Sequence, residues 1–497
     1  MHRLAKLDQR YVWHPFTQMR EWLKGEPLVI TRGQGAVLRD ACGREYLDGN
    51  SSIWTNLHGH NHPAINAAIT AQSKQIAHSS ALGLANEPAS LLAEQLVRVA
   101  NPSWLRDALS PKDVARRRSK NRQPVLGKVF FSDDGSTAME VALKLAYEFA
   151  RRTGRSKQPR FLSLQGAYHG DTVGAVSLGH IDLFHKAYAG LLFKTDTVMA
   201  PYCYRCPFNR AKPERADARD YRRCNWECLD KVEAKFKAQK RKGTRYAGFV
   251  FEPLMQGAAG MIPQPAGWLA RAAGIARSYG ALLIADEVMT GFGRTGSLPP
   301  KFPSGHSKDP RLFACHEEGV QPDFLALAKG LTGGYLPMAA TLTTQEVFDA
   351  FLGEYEEFKT FFHGHSFTGN QLGSAAALAS LELLQRPAGV KARQQLENTL
   401  AEELKTLWAL PNVGDIRQVG LVAGIELVRN WRTRKPFEPR ERAGIRVCEA
   451  MAARGVLTRP IGNVLVLMPP YCTTALQLRQ MVDALRTGVS SVFQSRR

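Results

Sequence analysis

A carboxylate, a lysine, a glycine-serine turn and a tyrosine each stand just past a short apolar run in this chain. Asp286 closes the run ALLIAD. A carboxylate at the tip of a buried strand is costly unless it meets a cation, and the protonated nitrogen of a heteroaromatic ring is one such cation. Lys329 follows FLALA and precedes glycines. A lysine in a partly buried site releases its proton more readily and becomes a nucleophile for an aldehyde. Gly135-Ser136 follows the run KVFFS and opens a helical pattern. Backbone N–H groups and a hydroxyl gather there at the positive end of a helix dipole, where a phosphate is stabilised. Tyr168 lies in Tyr168-His169-Gly170-Asp171, behind RFLSL, and an aromatic at a strand tip can stack on a planar ring.

Each residue has an ordinary alternative. Asp286 could cap a turn or helix, Lys329 could be a surface lysine at a strand end, Gly135-Ser136 could be a plain helix start, and Tyr168 could pack on its own sheet. Combined, the four describe one pocket with a phosphate cradle, an aromatic lid, a carboxylate for a ring nitrogen and a lysine for an aldehyde. Pyridoxal 5'-phosphate (PLP) requires that set.

The elements that must carry these residues alternate β-rich runs with helical patterns. The runs span 125–132, 160–164, 246–252, 279–286 and 323–328, and each ends in a glycine-containing turn. Such alternation predicts an α/β fold with a mainly parallel sheet covered by helices on both faces. Ligands of such sheets sit at the carboxyl ends of the strands. Residues 371–384 read as an Ala/Leu helix, 414–429 as a strand pair and 462–468 as a further strand, which together suggest a smaller α+β unit. Residues 37–40 and 45–48 flank a Cys42-Gly43 turn and predict a hairpin that joins that unit. The expected division is 1–85 for the N-terminal part of the small domain, 86–375 for the large PLP-binding domain and 376–497 for the C-terminal part of the small domain. Residues 105–125 and 297–310 read as insertions.

The segments DEVMTGFGRTG (286–296) and LALAKGLTGG (325–334) resemble the class III aminotransferases, a branch of the fold-type I PLP enzymes. The order Gly-Ser, Tyr-His-Gly, Glu-Pro, Asp-Glu-Val, Lys is the order of that family and spans most of the chain. The resemblance implies that Lys329 carries the cofactor, Asp286 binds its pyridine nitrogen, Gly135 and Ser136 hold its phosphate, and Tyr168 lies by ring and substrate. It also implies a homodimer with shared sites, in which His365 and Ser366 of FFHGHSFTGN reach the partner's cofactor phosphate. Gly364 then borders the substrate.

WHPFTQM (13–19), DGNSSIW (48–54) with LHGHNHP (57–63), and TRPIG (458–462) narrow the resemblance to the branch that serves biotin synthesis. That branch implies 8-amino-7-oxononanoate as acceptor and S-adenosylmethionine as donor. Arg459 would hold the acceptor's carboxylate as a planar fork. Trp54 would line its aliphatic part, or else be a core aromatic. Phe16, Ile53-Trp54, His365-Ser366 and Val466 depart from the commonest pattern on the donor side of the pocket. They resemble members that use lysine as donor, so the donor stays open, as does another ω-amino acid substrate.

Composition excludes other classes. The chain has 497 residues, 44% hydrophobic and 22% charged, which is globular and not disordered. No run approaches the ~18 apolar residues of a membrane span. The N-terminus lacks an apolar signal core, so the cytoplasm is the expected location. The net charge is +21, but residues 105–125 hold seven basic and two acidic side chains, and residues 203–245 fourteen and six. Those segments carry 13 of the 21 excess charges. They lack interleaved aromatics and match no nucleic-acid motif, so no nucleic-acid partner is expected.

Cys203-x2-Cys206 and Cys224-x3-Cys228 resemble a structural zinc site in spacing. The departure from paired C-x2-C favours reduced thiols in a subfamily loop. His58, His60 and His62 alternate within a Gly/Pro turn without an evident acidic partner, and read as a structural turn near the site.

Overall fold

The computed structural model describes residues 2–107, 124–297 and 310–494. Most of the 105–125 segment and most of 297–310 therefore lie outside the described residues. The large sheet has seven strands: β1 (Leu126–Ser132), β2 (Arg160–Leu164), β3 (Asp196–Val198), β4 (Tyr246–Phe251), β5 (Leu282–Asp286), β6 (Phe324–Leu327) and β7 (Ala339–Thr344). Their order across the sheet is β1-β7-β6-β5-β4-β2-β3. All neighbours are parallel except β7, which runs antiparallel to both β6 and β1.

The central strands β4, β5 and β6 are almost continuously apolar because both faces of the sheet are covered there. Side chains alternate between the faces. Val250, Ile284 and Phe324 meet helix α1 (Gly135–Arg152) in one core. Phe249, Phe251, Leu283 and Leu325 enter the other, beneath α2 (Glu227–Arg241), α3 (Trp268–Ser278) and α4 (Gln371–Gln385). The run 279–286 divides at Gly280. Tyr279 ends α3, and Gly280 adopts a positive φ of 76° that turns the chain into β5.

A second sheet pairs β8 (Val413–Val419) and β9 (Val422–Asn430) as an antiparallel hairpin, followed by β11 (Val464–Leu467) and then β10 (Pro460–Ile461). The N-terminal hairpin, Val37–Asp40 with Glu45–Asp48, joins the C-terminal half of the chain through a parallel pairing of Glu45–Asp48 with Val456–Leu457.

Three arginines of the 203–245 segment are spent on contacts with the second sheet and its surroundings. The Arg215 guanidinium donates to the carbonyls of Trp408, Leu410 and Val413. It also lies over the rings of Trp408 and Trp431, at 5.4 and 5.0 Å. Arg219 reaches the carbonyl of Gln418, and Arg205 pairs with Glu426 and donates to the carbonyl of Arg434. The part of the segment before α2 is a strap against the second sheet rather than a solvated loop. Among the described residues, no helix is long and apolar enough to cross a membrane.

Candidate active site

Four neighbouring strands deliver the chemistry to one end of the large sheet. Tyr168 and His169 follow β2, Glu252 follows β4, Asp286 ends β5 and Lys329 follows β6. Asp286 pairs in register with Ala326, three residues before the lysine. Together with Gly135, Ser136 and Trp54, all of these residues line one cavity of about 480 Å³.

Burial pushes the Lys329 ammonium below its usual pKa, and Asp286 and Glu252 only partly oppose that. Its backbone has a positive φ of 43°, rare for a side chain of this size. Its Nζ lies 4.8 Å from the centre of the Trp54 ring. Asp286 is 5% exposed. One of its oxygens accepts the Val288 amide, and the other lies 2.7 Å from His169 Nδ1. Burial alone would lower the His169 pKa, but Asp286 outweighs it and the net shift is upward.

Helix α1 begins at the cradle. Asp134 caps it by accepting the Thr137 amide. The amides of Gly135 and Ser136, in the first turn, point at no intrahelical acceptor. Ser136 Oγ accepts the Asp171 amide at 3.0 Å. At Gly170, with φ 120°, a Cβ would fall 2.1 Å from Ser136 Oγ, so only glycine lets the two turns close on each other. The Tyr168 hydroxyl donates to Asp171 at 2.6 Å. Burial and Asp171 both raise its pKa, so it stays protonated.

Trp54 is placed by an unusual turn. Ser51, Ser52, Ile53 and Trp54 all have positive φ, between 49° and 69°. Left-handed backbone costs roughly 1–2 kcal/mol per residue, so the turn needs anchors. Asp48 accepts from both the amide and the hydroxyl of Ser52, and Ser51 Oγ donates to the carbonyl of Met468. His60 Nε2 lies 3.0 Å from the same Asp48. The His58-His60-His62 turn thus has an acidic partner after all, and uses it to hold the site. His58 contacts Ser380, and the His62 amide donates to Tyr335.

The donor set tests well for PLP. It offers unspent helix amides and a hydroxyl for a phosphate, a buried carboxylate for a ring nitrogen, and a lysine with depressed pKa for an aldehyde. His169 Nε2, buried and without a hydrogen-bond partner, leaves further polar capacity beside the cavity.

Comparison with known proteins decides among PLP enzymes. Residues 20–489 match the family model described as aminotransferase class-III. The adenosylmethionine-8-amino-7-oxononanoate aminotransferase of Geobacter sulfurreducens is 46% identical over 98% of both chains.

The chain belongs to the class III aminotransferases.

The enzyme of the same name from Methanocaldococcus jannaschii is 40% identical over 98% of this chain and 97% of its own. The crystal structure of the Methanocaldococcus jannaschii enzyme superposes with a TM-score of 0.83, covering 98% of each chain at 38% identity. A PLP-bound amine transaminase from an uncultivated Pseudomonas species superposes at 0.81, with 31% identity over 97% of this chain and 98% of its own. This aminotransferase is therefore a PLP-dependent transferase of fold-type I.

Of the residues singled out in the sequence, Gly135, Ser136, Tyr168, Asp286, Lys329 and Trp54 meet at the cavity. Gly364, His365, Ser366 and Arg459 do not line it. His365 lies 3.2 Å from Asp133, on the rim. Arg459 is exposed, on the segment between Val456–Leu457 and β10. That segment is tied to the Trp54 turn, since the Gly49 amide donates to Leu457. Val466 is buried in a methionine cluster behind the cavity wall, and the Phe16 ring lies 6.5 Å from that of Tyr168.

Glu252 and His169 were not singled out. Glu252 accepts the amides of Tyr168 and Gly257, and burial pushes its pKa up to about 7. A carboxylate directly after the apolar run YAGFVF was the available signal, the same one that marks Asp286. All eight cysteines are free thiols. Cys203 and Cys228 are buried, and burial raises their pKa values to about 12 and about 11. Among the described residues, no group of three or more His, Cys, Asp or Glu is arranged to hold a metal ion.

The pairing of Asp286 with His169 is directly testable. In Asp286→Asn the carboxylate that does most to raise the His169 pKa is gone, and only Glu252 is left to oppose burial. NMR titration of this aminotransferase should show the His169 resonance titrating at a lower pH than in the wild type. An unchanged midpoint would show that Asp286 does not hold the ring's proton.

Proposed function

We propose that this enzyme transfers an amino group from S-adenosylmethionine to 8-amino-7-oxononanoate, forming 7,8-diaminononanoate in biotin synthesis. The observation that carries the reading is the name shared by full-length relatives at 40–46% identity. A biosynthetic role of this kind fits the cytoplasm.

Bound PLP supplies the aldehyde and the electron-accepting ring through which an amino group and a proton are exchanged. Lys329 is assigned the attachment point and, with its depressed pKa, the base that takes and returns a proton at Nζ. Asp286, braced by His169, keeps a cationic ring nitrogen charged. The amides of Gly135 and Ser136 and the Ser136 hydroxyl bind the phosphate. Tyr168 and Trp54 wall the ring and the aliphatic chain and exclude water. Arg459 meets the acceptor's carboxylate at the outer end.

A homodimer with shared sites accounts for the residues left outside the cavity. Phe362 and Phe367 flank Gly364, His365 and Ser366 and are 71% and 59% exposed, and Trp13 is 87% exposed. In this reading the second subunit covers these aromatics, and Gly364, His365 and Ser366 serve its site.

The test supplies purified enzyme with 8-amino-7-oxononanoate and either S-adenosylmethionine or lysine, and measures 7,8-diaminononanoate. Product is expected with S-adenosylmethionine. Turnover with lysine alone would overturn the donor, and no product with either would overturn the acceptor. Arg459→Ala is expected to raise KM for the acceptor by about 10- to 100-fold, the range of a lost charged hydrogen bond, with kcat nearly unchanged. An unchanged KM would remove Arg459 from the site.

A further inference from the structure

Gly257 adjoins the cavity-lining Ala258, at a place where a side chain would force a neighbour to shift. A Cβ there would stand 2.6 Å from Met289 Sδ and 3.3 Å from the Trp54 ring, both closer than ordinary contact. Trp54 and Met289 both line the cavity, so the bare backbone at 257 sets how far they stand back from it. The two neighbours differ in freedom. Trp54 is fixed by its anchored left-handed turn. Met289 has an unbranched side chain with three rotatable bonds and can re-aim.

The direction in which Met289 can move is set by what surrounds it. It is 6% exposed and packs with Met255, Met261, Val422, Val466 and Met468. With those side chains packed against it, the open space left to a displaced thioether is the cavity that Met289 lines. Trp54 and Ile461 both pack against the same cluster. Ile461 follows Arg459 by two residues, and Lys329 lies under Trp54. The methionine cluster therefore adjoins both the tryptophan that Lys329 meets and the arginine-bearing segment, and an aliphatic chain joining a reacting carbon to a carboxylate held by Arg459 would pass it.

We propose that the contact between Gly257 and Met289 sets the length of aliphatic chain this enzyme accepts. Gly257 is a positioning residue that acts through Met289. The proposal rests on the long-chain acceptor reading above, and the test separates the two. Unreactive straight-chain carboxylates from butanoate to nonanoate are titrated calorimetrically into the PLP-loaded wild type and the variants.

Wild-type affinity should rise with chain length. Gly257→Ala should weaken nonanoate by about tenfold or more, the worth of roughly two buried methylenes, and leave butanoate within a factor of about two. Met289→Phe fills the same space without touching the backbone and should reproduce that selective loss. Gly257→Ala combined with Met289→Ala should restore nonanoate binding, which loss of folding could not do. An equal loss at every chain length, or no recovery in the double variant, would overturn the Gly257–Met289 proposal while leaving the acceptor reading standing. Wild-type affinity that ignores chain length would overturn the acceptor reading itself, and the proposal with it.

Discussion

Lys329→Ala is expected to abolish the visible absorbance that bound PLP gives the wild-type enzyme, and to cut transamination by at least about 10⁴-fold. The effect is large because one amine has two tasks. In the proposed function it attaches the cofactor and moves the proton, and among the described residues no second lysine lines the cavity. Burial depresses its pKa, so more of it is the neutral base at a given pH than of an exposed lysine. The flanking acids prevent that shift from running further. Lys329→Arg should be no better than alanine, since a guanidinium does not release its proton in this range. Small primary amines added to Lys329→Ala should restore part of the proton transfer. A variant that keeps the visible band and a tenth of wild-type activity would show that another group does this work. Far-UV circular dichroism of the variant should match the wild type, because the lysine makes no hydrogen bond on which β6 depends.

The residues easiest to read in the sequence were those whose position follows from strand periodicity. Asp286 and Lys329 end apolar runs, and a parallel sheet places all such ends together. Glu252 and His169 obey the same rule, yet each sits inside a short motif that also reads as a turn, so nothing in one sequence separates them from caps. The turn at Ser51–Trp54 was not legible. It holds no glycine, and four consecutive left-handed residues are tolerated only because Asp48, His60 and Met468 anchor them from elsewhere in the chain. Charge was legible in amount but not in use. Arg205, Arg215 and Arg219 look like solvated basic residues until carbonyls more than 190 positions away are brought to them. Arg459 and the 364–366 segment show the reverse case. Family resemblance assigns them roles, while the fold of a single chain leaves them outside the cavity.

Arg417→Met is expected to cost about 3–5 kcal/mol of stability, the range for removing one member of a buried ion pair. Arg417 is fully buried, bonded to Asp415 at 2.9 Å and to Glu426 at 2.7 Å, and it donates to the carbonyls of Gly260 and Met261. Glu426 is shared with Arg205 from the strap and accepts the Tyr202 hydroxyl. Two carboxylates thus balance two guanidinium groups, and the variant leaves one buried negative charge uncompensated. The pH dependence identifies the cause. Burial raises the Asp415 pKa to about 6, against the pull of Arg417. A carboxyl whose folded pKa exceeds its unfolded value binds its proton more tightly when folded, so its contribution to stability falls as pH rises from about 4 through 6. Without Arg417 that pKa moves higher still, and the protonated acid needs no cation. The stability deficit of Arg417→Met relative to wild type, followed by urea midpoints, should therefore be largest at alkaline pH and shrink as pH falls through the variant's raised Asp415 pKa towards about 6, below which both proteins hold Asp415 protonated. A deficit independent of pH would mean that lost packing and lost carbonyl contacts, rather than unpaired charge, dominate. Because Arg417 also ties β8 to the turn that follows Gly257, the variant should bind nonanoate more weakly even where it remains folded.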